Sequence, residues 1–327
     1  MSNNTIKILV KKPDVGKRLD ILLNQSVDTL TRTSIKNLIK TKKVRVNKKE
    51  IIFPAKKVKL GEMIELDHII ENPIFPKAQK IPLNIIFEDN DILIINKPAG
   101  MVVHPGAGNF DNTLVNALIY KYKKNLSDIN GLLRPGIVHR LDKDTSGALV
   151  IAKNNFSHSE LGKQFGSHSI KRKYLALVWG VIRPLYGKIS TLLSRSKKNR
   201  QLMAVSELRG KKAVTNYKTI KVFENKNIPR ISLIEFYLET GRTHQIRAHL
   251  DYKNTSLLGD KKYKKKFIRF KNITKDFESK LSLLNGQALH AQTLGLIHPV
   301  KGEIIHFKAN LPAGFKNLLS FLEKVSD

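Results

Sequence analysis

The sequence predicts a mixed α+β protein in two parts: a small N-terminal unit and a large domain around a central mixed, mainly antiparallel sheet. Three observations carry this. Residues 16–70 show two helical stretches and then short strands; residues 71–82 hold three prolines and no apolar periodicity, as expected of a linker; and beyond them many separated apolar runs alternate with few helical ones. That last pattern is not the regular βαβ alternation of a parallel sheet. At 327 residues the chain is long enough for two cores. The expected division is an arm at 1–15, the small unit at 16–72, the linker at 73–84 and the large domain at 85–327.

In the small unit, Leu19, Ile21, Leu22 and Leu23 form the inner side of a first helix. A second helix is expected over 32–41, with Ile35, Leu38 and Ile39 at helical spacing and Ser34 near its start. Arg32, Lys36 and Lys40 lie four apart on one face, where like charges destabilise an isolated helix, so a phosphate partner is a more economical account than a merely solvated face. Val44-Arg45-Val46 then alternates as a strand, Asn47-Lys48 turns, and residues 58–66 return through Gly61 as another strand. In the large domain, strands are expected at 85–87, 92–95, 148–152, 175–179 and 231–238, and helices at 112–122 and 157–166. No internal repeat is visible.

Composition removes several kinds of chemistry. With no cysteine there are no disulfides, thiolate nucleophiles or iron–sulfur clusters, and the usual structural zinc sites are excluded, so catalysis must come from oxygen and nitrogen side chains. No run approaches the roughly 18 apolar residues of a membrane helix, and the first ten residues carry no signal-peptide core; a cytoplasmic protein without a membrane partner is expected. The net charge of +32 attracts polyanions at long range, which makes nucleic acid the natural partner. Richness in Lys, Asn and Ile allows an AT-biased genome to account for part of that excess.

Three islands mix apolar strand residues with functional side chains: "INKPAGMVVHPGAG" (95–108), "RPGIVHRLDKDTSGALVIAK" (134–153) and "LETGRTHQIRAHL" (238–250). In the second, Arg140, Asp142, Lys143 and Asp144 sit in a short loop between apolar segments, a rigid mount for reactive groups. Taken alone, Asp followed by Thr-Ser-Gly reads as an ordinary Asx turn. Other patterns fail on spacing. "GAG" at 106–108 lacks the third glycine of a dinucleotide loop, which is Asp111; His244 and His249 lack a carboxylate or thiolate in metal register and read as hydrogen-bonded structural histidines; "GDKKYKKK" at 259–266 is not a phosphate-binding P-loop and reads as a basic surface turn.

The whole string "HRLDKDTSG" (139–147), however, resembles the signature of the RluA-type pseudouridine synthases. "NKPAGMVVHPGAG", "KRKYLALV", "LETGRTHQIRAHL" and "LHAQTLGLIHP" resemble further blocks of that family in the expected order. The stretch "RTSIKNLIKTKKVRVNKK" resembles an S4 RNA-binding domain, with lysine at positions 42 and 48 where glycine is common, and this combination is most similar to the RluD-like large-subunit rRNA branch. The resemblance implies a pseudouridine synthase fold, isomerisation of uridine to pseudouridine in a large-subunit (23S) rRNA stem-loop, free or within a pre-ribosomal particle, by a monomer needing neither cofactor nor metal. A transfer-RNA synthase and a non-catalytic ribosome-assembly factor are the alternatives.

Carried over residue by residue, the resemblance makes Asp142 the catalytic aspartate, Arg247 the arginine that pairs with it and Tyr174 the residue that stacks on the target base. The chemistry suits one carboxylate: the bond from C1′ to N1 breaks, the base turns and a bond to C5 forms. Attack at C1′, addition at C6 and assistance in removing a ribose proton all remain open for it. A neighbouring guanidinium keeps such a carboxylate ionised, and the tyrosine hydroxyl can take part in removing the C5 proton. Arg140 either fills the place the extruded base leaves or contacts phosphate. Arg32, Lys36, Lys40, Lys43 and Arg45 in the small unit, and Lys171, Arg172 and Lys173 beside Tyr174, with 195–200 further on, are expected to contact the RNA backbone.

Overall fold

The computed structural model describes all residues except 1–2, 28–29, 31, 70–74, 107, 124, 227, 264–273 and 327. The expected linker thus falls partly, and Lys264 to Lys266 wholly, outside the described residues. The chain divides into two compact units, Met1–Ile74 and Phe75–Asp327. No helix among the described residues is long and apolar enough to cross a membrane.

The first unit runs β1 (Asn3–Leu9), α1 (Leu19–Ser26), α2 (Arg32–Lys40), β2 (Val44–Val46), β3 (Lys49–Glu50) and β4 (Met63–Ile69). Its sheet has the order β1-β4-β2-β3, all antiparallel. Leu19, Leu22 and Leu23 of α1 and Ile35 and Ile39 of α2 pack on Val44, Val46, Ile64 and Leu66. The strand expected from residue 58 begins only at Met63, because Val58 bonds back to Lys17 and the chain turns at Gly61. Lys42, Asn47 and Lys48 all adopt positive φ, at 62°, 48° and 67°. Asn47 secures its turn by accepting a hydrogen bond from Met63 N at 2.8 Å.

The basic face of α2 is balanced from within. Asp20 is fully buried and receives Arg18 at 2.9 Å, Arg32 at 3.2 Å and Lys36 at 3.7 Å. Burial pushes its pKa up, but the two arginines prevail and hold it below the ordinary value. Arg45 is likewise engaged, by Asp67 at 2.6 and 2.8 Å and by Glu65 at 3.3 Å. The charges of Arg32, Lys36 and Arg45, expected to meet RNA, are thus also answered by acidic side chains of the same unit. Lys40 and Lys43 are exposed.

The second unit continues with β5 (Ile85–Glu88), β6 (Ile92–Lys97), α3 (Leu114–Tyr122), β7 (Ser146–Ala152), α4 (Asn155–Gly166), β8 (Lys171–Trp179), β9 (Tyr186–Arg195), β10 (Met203–Ser206), β11 (Lys211–Asn225), β12 (Ile228–Leu238), α5 (Gln245–Tyr252), α6 (Lys275–Ser282), β13 (Leu289–Ile297), β14 (Ile304–Lys308) and α7 (Ala313–Ser326). Nine strands follow the order β10-β9-β11-β12-β8-β13-β7-β6-β5, and β14 pairs with β13. β13 and β7 are parallel and the other pairs antiparallel, so the mixed, mainly antiparallel α+β fold is observed. Before β5 the chain is fastened to α3, where Asn116 Nδ2 donates to Lys77 O at 2.8 Å and Gln79 N donates to Asn116 O at 3.1 Å.

Strand alternation decides what faces the site. On β8, Tyr174, Ala176 and Val178 join the core that includes Ile246 and Leu250 of α5, whereas Leu175 and Leu177 join the core beneath α6 and α7. The parallel pair β7/β13 is close at one point. Gly147 has φ 119°, and a Cβ there would collide with the backbone of Ala291, its register partner. Gly147→Ala is expected to destabilise the protein by about 2–4 kcal/mol, measured by urea unfolding, because it combines backbone strain with a backbone clash.

Candidate active site

The loop before β7 carries Asp142 and is held from below. Lys97, fully buried at the end of β6, donates from Nζ to the carbonyls of Pro98 at 2.7 Å, Met101 at 2.9 Å and Lys143 at 3.0 Å. Burial pushes Lys97 down to about 7, opposed by the carboxylates of Asp144 and Asp142. Three carbonyl acceptors match the three N–H donors of an ammonium group, so we assign it the charged form in the folded loop. Gly100 N also donates to Lys143 O, at 3.0 Å. Lys97→Met is expected to lower kcat about tenfold or more with little change in RNA affinity, since it loosens a loop without touching a binding surface; single-turnover rates set against filter binding separate the two.

The turn itself is closed by backbone, with Thr145 N donating to Asp142 O at 3.1 Å. The Asp142 side chain is consequently not spent on an Asx turn. It accepts from Arg247 Nη1 at 3.0 Å, across 105 residues of sequence.

Arg247 projects from α5, whose preceding loop is locked by Gln245. That buried amide accepts from Thr240 Oγ1 at 2.8 Å and Arg242 N at 2.9 Å, and donates to Val214 O and Thr215 Oγ1 of β11. His244, at the N-cap, takes the left-handed conformation with φ 53°. Its Nδ1 lies 3.1 Å from Tyr263 Oη and its Nε2 3.8 Å from Asp142. His249 is fully buried between Thr191 and Thr215, and burial lowers it to about 4; as expected, it is a structural histidine.

One residue of the site escaped the sequence reading. Asp260 grips Arg247 with both oxygens, at 2.7 Å to Nε and 2.9 Å to Nη2, and is almost fully buried. It also accepts from the backbone N–H groups of Lys262 and Tyr263. Residues 259–263 are therefore not a basic surface turn: Asp260 and Tyr263 are buried, and Tyr263 packs 4.9 Å from the Arg247 guanidinium. Burial works against the charge of Arg247, but the two carboxylates prevail and raise its pKa.

Above this ion-pair chain lies a cavity of about 300 Å³, lined by Asp142, Tyr174, Arg247, Arg140, Arg172, His139 and His244 among others. The structure thus brings Asp142, Tyr174, Arg247, Arg140 and Arg172 to one place. The volume stands at the small end of ligand pockets, a size suited to a nucleoside. Tyr174 is nearly buried, and burial pushes its hydroxyl up against the opposing influence of Arg172. His139 accepts from Val150 N at Nε2, which places its proton on Nδ1, and burial with Arg172 nearby holds it down at about 3. Lys173 does not line this pocket; it pairs with Glu235 at 2.9 Å and borders an adjoining groove with Lys171 and Arg172.

Among the described residues, one cluster has metal-ligand spacing: Asp89, Asp91 and His298. Its atoms are already engaged. Asp89 accepts from His298 and from the backbone of Asp91 and Ile92, Asp91 accepts from Asn154 and Ser157, and His298 Nδ1 accepts from Val300 and Lys301. The cluster reads as a structural knot.

A nucleoside-sized pocket in a strongly basic protein, with a carboxylate loop at its floor, suits an enzyme that acts on a nucleotide of a polyanion. Residues 91–252 match the family model for RNA pseudouridylate synthases. The ribosomal large subunit pseudouridine synthase D of Zymomonas mobilis is 45% identical over 97% of this chain and 98% of its own, and an RNA pseudouridine synthase of Bacillus subtilis is 39% identical over 98% and 99%. The solved structure of human RNA pseudouridylate synthase domain containing 4 superposes with a TM-score of 0.55 at 25% identity, covering 73% of this chain and 93% of that one. The chain belongs to the RNA pseudouridylate synthase family and is a pseudouridine synthase, an isomerase of RNA uridine.

Proposed function

We propose that this enzyme isomerises specific uridines of large-subunit (23S) ribosomal RNA during ribosome maturation, with Asp142 as its catalytic carboxylate. The observation that carries the reading is the Asp142–Arg247 pair at 3.0 Å on the floor of the pocket, in a chain that aligns almost end to end with a large-subunit synthase. Arg247 answers the carboxylate's charge where water is scarce, and Asp260 fixes the guanidinium so that it cannot follow the substrate. Tyr174 offers its ring to the extruded uracil, and its hydroxyl takes part in removing the C5 proton. Arg140, exposed at the rim, fills the vacated stack or holds phosphate.

The first unit serves as an S4-like RNA-binding module that docks a stem-loop, free or in a pre-ribosomal particle, and the enzyme acts as a cytoplasmic monomer. Lys40 and Lys43, both exposed, are its proposed phosphate contacts, with Lys171 in the second unit. Replacing Lys40 and Lys43 together with Ala is expected to reduce the slope of log affinity against log salt by between about one and two, while the rate on bound RNA persists.

Purified enzyme tests the function on C5-tritiated transcripts of large-subunit rRNA and of tRNA. Tritium release from the rRNA alone is expected; release from tRNA alone removes the rRNA assignment, and none from either removes the enzymatic reading.

A further inference from the structure

Arg172 is a cation without an anion. Its side chain has no ion pair and no hydrogen bond among the described residues, and its Nε is buried with no partner. Two other guanidiniums of the pocket are engaged, Arg247 by Asp142 and Asp260 and Arg242 through Nε by Lys212 O, while Arg140 is exposed to solvent at the rim. Burial accordingly lowers the pKa of Arg172, with Tyr174 acting in the opposite sense. Yet the side chain is firmly placed. Its guanidinium lies 5.8 Å from the centre of the Phe165 ring, which in turn stacks on His139 at 4.6 Å. On another side Gly241 makes room: a Cβ there would sit 2.5 Å from Arg172 Nη1. A desolvated charge held in this way is costly to the free protein, and such frustration is tolerated where a ligand supplies the missing charge.

Its position indicates which part of the ligand that is. Arg172 and Tyr174 point from the same face of β8, about 6.8 Å apart along the strand. Arg172 lines both the Asp142 pocket and an adjoining groove with Lys171, Lys173, Thr293 and His306 along it, whose one carboxylate, Glu239, is taken by Lys188 at 2.9 Å, so Arg172 stands at the junction of the two. A base seated on Tyr174 puts its own backbone at that junction. Uracil carbonyls are neutral and leave the charge unanswered; a phosphodiester answers it with two oxygens in guanidinium geometry.

We propose that Arg172 binds the phosphodiester flanking the flipped uridine, fixing the sugar over Asp142 while the base is free to turn. This deepens the function proposed above and rests on it. During isomerisation the base must detach and rotate, so what holds the nucleotide in place has to be its backbone, and Arg172 supplies that hold.

The test uses full-length enzyme and a synthetic stem-loop built around one large-subunit uridine that the wild-type enzyme converts. The stem-loop carries either normal linkages or a single uncharged methylphosphonate 5′ or 3′ of that uridine. With normal RNA, Arg172→Gln is expected to lower kcat/KM roughly 10- to 100-fold. The wild type should lose a similar factor with one of the two methylphosphonates, and the variant should lose nothing further with that same RNA. Gly241→Ala, which displaces the guanidinium but keeps the charge, should give an intermediate loss with the same pattern. In the absence of RNA, Arg172→Gln should melt at or above the wild-type temperature, because it removes a charge the free protein leaves unpaired. Independent, multiplying losses at both linkages, or a melting point several degrees lower, overturn the proposal. A wild-type enzyme that converts no large-subunit uridine contradicts the proposed function instead.

Discussion

Asp142→Asn is expected to reduce isomerisation by at least about 10³-fold while leaving the protein folded. The substitution keeps the shape of the side chain and removes its charge. The loop does not depend on that charge, because its turn is closed by Thr145 N and its carbonyl is held by Lys97 and Gly100. Arg247 does not become an orphan either, since Asp260 retains it through two hydrogen bonds. Loss of tritium release from C5-labelled RNA, with a melting temperature close to wild type, is the expected combination. Substantial activity in the variant would remove Asp142 from the chemistry.

Arg247→Gln is expected to do the opposite to stability: a loss of about 3–5 kcal/mol in urea unfolding together with loss of activity. The cause is Asp260, which would remain buried as a carboxylate without its cation. Adding Asp260→Asn should recover much of the stability and none of the activity, because only the charge imbalance is repaired. The wild type and Arg247→Gln also differ in acid. In the wild type, burial raises the Asp260 pKa, but Arg247 and the backbone donors outweigh it and hold the group below its ordinary value. A depressed carboxylate stabilises fully above its unfolded pKa and loses that contribution as pH falls through its folded one, so the wild type should weaken in the carboxylate range below about 4. In Arg247→Gln this acid limb should flatten. Unfolding midpoints from pH 7 to pH 3 check the sign.

The legibility of this chain in sequence varied with how local each signal was. α1, α2, β6 and the core of β8 announce themselves through apolar spacing that matches the burial found. β9 and β11 did not, because polar residues such as Lys188, Thr191 and Lys218 interrupt runs that only pairing across the sheet makes into strands. α5 was hidden for a related reason: its residues 245–250 are all buried, Gln245, Arg247 and His249 among them, so no polar face marks a helical period. The Asp142 loop was legible only as a whole string, since its most informative contact comes from a residue 105 positions away. Asp260 gave no signal. It sits in a lysine run that composition assigns to the surface, and only the fold shows that Arg247 draws it inside. In the first unit Arg32, Lys36 and Lys40 of α2 are visible in the sequence, but nothing there marks Asp20, set among the apolar residues of α1, as the buried carboxylate that balances Arg32 and Lys36. Charge read along a sequence overstates what is available to a partner by the pairs that folding makes.

The most direct test of the central claim is a pseudouridine map of total rRNA and tRNA from cells whose only copy of this protein carries Asp142→Asn, set against cells with the wild-type chain. One or more pseudouridines in large-subunit rRNA are expected to disappear while those in tRNA remain. Persistence of every large-subunit site would contradict the claim.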